Sequence, residues 1–106
     1  MKEEYYKLVR DKVPEIMKSE GAVVQYQIME DKYYRQELFL KLREEARELM
    51  DDPHDIEEYA DILEVLDCIM KLHGISFDAV METKEKKRLQ KGSFTEKYFL
   101  YHSETI

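Results

Sequence analysis

Five carboxylates in this chain stand where their chemistry could be put to use. On a helix turning about 100° per residue, Leu38, Leu42 and Leu49 mark the centre of an apolar stripe, and Glu45 falls within about 40° of that centre. Glu48, three residues on, lies at the edge of the stripe, and Glu44 lies further round the same flank. In the next helical pattern Ile62, Leu66 and Ile69 mark the stripe, and Glu58 projects between Val65 and Ile69. Asp61, one turn beyond Glu58, again sits on the flank. The same device occurs twice: an acid inside an apolar stripe, with a second acid one turn along.

An unpaired carboxylate costs several kcal/mol to bury, and like charges meeting in one crevice raise that cost, so a positive group must hold them. A divalent cation does this economically. Ligands that are all oxygen, with no His or Cys beside them, select a hard ion, Mg²⁺ or Mn²⁺, and Mg²⁺ commonly shares its shell with waters and phosphates. The competing reading is a solvated helix face whose acids pair with Lys41 or Arg47 at helical spacing. By the same geometry Glu57, Glu64 and Asp67 point away from the stripe and are expected in solvent.

The elements that must position these acids follow from punctuation and period. Pro14 opens a short helix to Ser19, closed by Gly21. Ala22 to Met29 is β-branched, aromatic and roughly alternating, which reads as a strand, and Lys97 to Tyr101 is the other strand-like run that could pair with it. A long amphipathic helix runs from about Lys32 to Met50 with Asp31 as its N-cap. Asp52 is positioned to cap the next helix with Pro53 in its first turn, and that helix runs to Gly74. Ser76 caps a last helix to about Lys91, closed by Gly92. The expected fold is mainly α, a small antiparallel helical bundle with a minor two-stranded β element, in a single domain over residues 1–106.

Composition narrows the function classes. Apolar residues make up 43% and charged residues 39%, too apolar for disorder and suited to helices with one buried stripe. A net charge of −7 repels a phosphate backbone, so duplex nucleic acid is not an expected partner. The single Cys68 can form no intrachain disulfide and no zinc pair, which fits a reduced cytoplasm, and it reads as a packed thiol rather than a nucleophile. No run approaches the ~18 apolar residues of a membrane span. His54, His73 and His102 are scattered, and the nearest approach to a di-iron pattern, Asp51-x-x-His54, is interrupted by Pro53.

Glu44-Glu45-Ala46-Arg47-Glu48 followed by Glu58-Tyr59-Ala60-Asp61 resembles the EExxE…ExxD signature of the MazG-like, all-α nucleoside triphosphate pyrophosphohydrolases. The opening Lys7-Leu8-Val9-Arg10-Asp11-Lys12-Val13-Pro14-Glu15 is similar to the KLVRDKIPE start of a phosphoribosyl-ATP pyrophosphohydrolase-like, house-cleaning subgroup. The resemblance spans almost the whole chain. It implies Mg²⁺-dependent cleavage of a nucleoside triphosphate between the α and β phosphates. It also implies metal ligation by Glu45, Glu48, Glu58 and Asp61, with Glu44 or Glu48 activating the water, and assembly as a homodimer or larger oligomer. The chain departs from the pattern in two places. Nine residues separate Glu48 from Glu58, a short connection, and Gly92-Ser93-Phe94 replaces Gly-Gly-Phe.

A triphosphate needs cations besides the metal. Arg10 and Lys12 are candidates, Arg10 with a fork suited to phosphate, although Arg10 and Asp11 could equally tie the N-terminal segment to the helices, and Lys7 fits that structural role better. Lys84, Lys87, Arg88 and Lys91 share a face of the last helix, which reads first as an ordinary solvated face and otherwise as one turned to an acidic neighbouring subunit or to phosphates, with Lys87 and Arg88 the phosphate candidates. Tyr34 and Tyr59 occupy stripe positions and are expected in the core. Two further readings stand beside the pyrophosphohydrolase: a non-catalytic helical module binding a nucleotide or a protein through the same crevice, and a phosphoribosyl-ATP pyrophosphohydrolase.

Overall fold

A proline at the start of a helix has no amide hydrogen to lose, and α1 (Val13–Ser19) begins with Pro14 in its first turn. It ends in a Schellman closure, in which the Ala22 amide donates to the Met17 carbonyl at 3.0 Å and the Gly21 amide to that of Lys18 at 3.0 Å. That closure requires the positive φ of 93° that Gly21 adopts. The computed structural model describes all 106 residues, which form two compact units, Met1–Gly74 and Ile75–Ile106.

In the first unit α2 (Asp31–Asp51) and α3 (Ile56–Leu72) lie against each other as a helical hairpin joined by residues 52–55. Glu30 occupies the N-cap of α2 without a side-chain bond, and Asp31, expected there, falls in the first turn, where its charge still suits the helix dipole. The start of α3 also differs from expectation. Asp55, not Asp52, caps it, its Oδ1 accepting the Glu57 amide at 2.9 Å, while Asp52 and Pro53 form the connecting turn. Tyr59 fastens that turn by donating its hydroxyl to the Pro53 carbonyl at 2.9 Å, so it stays 48% exposed rather than entering the core. Leu38 of α2 and Val65 of α3, 2% and 9% exposed, are the fully buried apolar residues, with Ile62, Leu66 and Ile69 half-buried around them.

The second unit holds α4 (Phe77–Lys91), capped by Ser76, whose Oγ accepts the Ala79 amide at 3.0 Å, and closed by Gly92 at φ 80°. None of its residues is fully buried.

The structure is mainly helical, with four helices and no strand, so the expected two-stranded element is absent. Val23 and Ile28 are exposed, neither 22–29 nor 97–101 is a strand, and Lys97 takes a left-handed φ of 64° at the start of the second run. Sequence preference for an extended backbone forms no sheet unless a partner satisfies its amides, and an isolated pair gains little. No helix is long and apolar enough to cross a membrane.

Because so few apolar side chains are fully buried, Leu38→Ala is expected to lower unfolding stability by about 3 kcal/mol in urea titrations followed by circular dichroism. Asp55→Ala, which removes only a cap, should cost about 1 kcal/mol in the same measurement.

Candidate metal centre

The hairpin brings the acids of α2 against those of α3. Glu45, seven residues from Leu38 and so on the same face, is buried at 6% exposure in the seam between the helices. Its carboxylate belongs to two groups at once. Oxygens of Glu44, Glu45 and Glu48 lie within 4.8 Å of one another on α2, and oxygens of Glu45, Glu58 and Asp61 do so across the two helices. Each of the five acids singled out by spacing falls in one or other of these groups, and Glu45 is common to both. Glu57 and Glu64 are exposed as expected, whereas Asp67 is half-buried, because α3 is covered further round that side than the stripe implies.

Two cations already sit among these acids. Lys41 Nζ lies 3.9 Å from Glu44 Oε2 and 3.9 Å from Glu45 Oε1, one turn away along α2. From the other side, Arg10 Nη2 donates to Asp61 Oδ1 at 2.7 Å, bridging residues 51 apart in sequence. The compensation is incomplete. Glu45 Oε2 and Glu58 Oε2 are both buried and have no hydrogen-bond partner, a costly condition for a charged oxygen. Burial pushes the Glu45 carboxyl up to about 7, helped by the hydrogen bond and charge of Glu48 and the charge of Asp61 and opposed by Lys41. Burial likewise raises Glu58, with Glu48, Asp55, Asp61 and Asp52 adding to it.

This donor set fits a hard divalent cation. It offers only carboxylate oxygens, two of them orphaned and aimed into one seam, and no His or Cys that would select zinc. Acidic groups of this kind could hold a metal ion.

The remaining candidates are distributed differently. Arg10 reaches the site, and the partner it takes there is Asp61. Lys12 is the exposed N-cap of α1. Lys87 and Arg88 lie in the second unit, where Arg88 pairs with Glu85 at 3.5 Å. Arg43, not singled out by spacing, and Arg47, read from spacing only as an ion-pair partner for the acids, line an open depression on α2 together with Glu44 and Glu48. Their signal in the sequence was the separation of four residues, which puts two guanidinium groups on one face beside the acids. Tyr34 is half-buried, its hydroxyl pushed up by burial and by the adjacent Cys68 of α3. Cys68 itself is half-buried, as a packed thiol would be.

Comparison of the chain with protein-family models, with curated proteins and with solved structures finds no match in any of the three.

A carboxyl held near 7 in the folded chain but near 4.5 in the unfolded chain favours the folded state only while it is protonated. That contribution, on the order of 2–3 kcal/mol, is complete below pH 4.5 and fades as the pH rises to about 7. In EDTA, wild-type protein should therefore lose more thermal stability between pH 5 and pH 7.5 than Glu45→Gln does, and calorimetry at the two pH values measures the difference.

Proposed function

We propose that this chain is a Mg²⁺-dependent nucleoside triphosphate pyrophosphohydrolase of the MazG-like type, cleaving between the α and β phosphates to give a nucleoside monophosphate and pyrophosphate. The observation that carries the reading is Glu45, a buried carboxylate shared by two three-acid groups and left with an unpartnered oxygen. The EExxE…ExxD resemblance supplies the reaction class, and house-cleaning of noncanonical nucleotides is the role it suggests.

In this reading Glu45, Glu48, Glu58 and Asp61 hold Mg²⁺, with Mn²⁺ as a substitute. The ion supplies Lewis acidity, drawing charge from phosphate oxygens and lowering the pKa of water. Around it the chain's own residues divide the work. Glu44 and Glu48 stand on the more open side of the seam, where one of them accepts the proton of the attacking water. Arg10 supplies guanidinium donors for a phosphate, and Lys12 adds positive charge. Arg43 and Arg47, beside Glu44 and Glu48, extend that set. Glu45, removed from water, fixes the ligand geometry across α2 and α3.

A second copy of the chain completes the helical bundle in this reading. Phe39, Leu40 and Leu63 of the hairpin are about half exposed, and two buried apolar residues make a small core for two long helices. Sedimentation velocity should accordingly give a mass of two chains or more.

One further reading has support of its own. Lys41 and Arg10 already neutralise part of the cluster, as they would in a non-catalytic module that uses the acids for packing. Pyrophosphate release from a panel of canonical and modified nucleoside triphosphates separates the two. The enzyme should require Mg²⁺ and lose about 100-fold or more of its rate in Glu45→Gln and in Glu58→Gln. A module would release nothing, with both variants folded and more heat-stable than wild type.

A further inference from the structure

The N-terminal segment has no helix or strand before Val13, yet one of its side chains makes the shortest ion pair in the molecule. Arg10 Nη2 sits 2.7 Å from Asp61 Oδ1, and Asp61 is one of three acids, with Glu45 and Glu58, whose oxygens converge within 4.8 Å. The Arg10 backbone is held by the Val13 amide, which donates to its carbonyl at 3.0 Å, but over half of its side chain is in solvent and Asp61 is the one hydrogen-bond partner of its guanidinium. Asp61, by contrast, is half-buried on α3. The pair therefore has one fixed member and one movable member.

We propose that Arg10 is a displaceable counter-ion for Asp61: it neutralises this carboxylate in the absence of a divalent cation and is released from it when the cation binds. The proposal rests on the metal-binding reading of the cluster given above. A guanidinium and a divalent cation both take carboxylate lone pairs and repel each other, so occupancy by one weakens the other. Arg10 occupies Oδ1 of the same carboxylate that offers an oxygen to the group with Glu45 and Glu58, so a cation there would take or crowd the Arg10 contact. Lys41 is not equivalent, because it lies one turn away on the same helix, 3.9 Å from its two acids, and moves with them. Once released, Arg10 offers its full fork to an anion, so that a phosphate finds its guanidinium partner only after the cation is in place. Cation and phosphate would then bind in a defined order, with the metal first.

Mn²⁺ binding to the full chain, followed by electron paramagnetic resonance, tests this with Arg10→Gln, Arg10→Lys and wild type. Removing an exposed counter-ion should tighten Mn²⁺ roughly three- to tenfold in Arg10→Gln, with Arg10→Lys between the two, and the gain should vanish in the Asp61→Asn background. A parallel titration of wild type with Mg²⁺, observed through the ¹⁵N resonances of the Arg10 guanidinium, needs no variant. Its slowly exchanging hydrogens should be lost as Mg²⁺ binds. Equal or weaker Mn²⁺ binding by Arg10→Gln, or an Arg10 signal that Mg²⁺ leaves unchanged while binding elsewhere in the cluster, would overturn the exchange and leave the metal site standing. No binding of Mn²⁺ or Mg²⁺ by wild type or Arg10→Gln would overturn both.

Discussion

The seam between α2 and α3 is organised around a carboxylate that water cannot reach. Glu45 takes the position that a leucine would fill in an ordinary hairpin, seven residues beyond Leu38 on the same face. Everything near it answers to that charge. Lys41 leans in from the preceding turn, Arg10 arrives from the N-terminal segment to hold the neighbouring Asp61, and the carboxyl itself is driven towards the neutral form. Since Glu45 Oε2 and Glu58 Oε2 still find no partner, the protein tolerates a cost that a packed apolar seam would avoid. That cost is concentrated at Glu45, the acid shared by the two three-acid groups, which is the observation the metal-binding proposal rests on.

The geometry explains why two helices are required. The α2 acids alone form one group, and Glu45 links it to Glu58 and Asp61, which only the hairpin brings close. The connection over residues 52–55 sets the register of that meeting, and the Asp55 cap with the Tyr59 clasp on Pro53 fixes it. Small changes in this turn would shift Glu58 and Asp61 along α2 by a fraction of a turn. Such a displacement is enough to separate ligand oxygens that must converge within a few ångströms.

Features carried by local spacing were legible in the sequence, and those set by long-range partners were not. Glu45 and Glu58 could be assigned to the seam because helical period alone places them relative to Leu38 and Val65. Ser76 and Gly92 bounded α4 correctly for the same reason. Asp52 and Asp55 offered the same cap chemistry three residues apart, and the choice depended on how Pro53 turned the chain, which no local pattern specifies. The strand-like runs at 22–29 and 97–101 have the right residues and no ladder, because a strand exists only with its neighbour. The Arg10 to Asp61 bond spans 51 residues, so spacing could propose Arg10 as a phosphate ligand or a tether but not as the companion of a particular acid.

The two resident cations also bear on how the cluster can work. Lys41 and Arg10 together bring two positive charges to Glu44, Glu45, Glu48, Glu58 and Asp61, leaving the five acids short of neutrality by three when all are ionised. A divalent cation would take up two of those three charges, and the charge of an incoming phosphate would then call on groups outside the acids. Lys41 is committed by its place on α2, whereas the Arg10 guanidinium has as its one hydrogen bond the contact that a cation would contest. The segment with the least secondary structure in the first unit thus carries the cation best able to change partners. An exchange of this kind would divide the work, with the hairpin holding the ligands and the N-terminal segment following the charge.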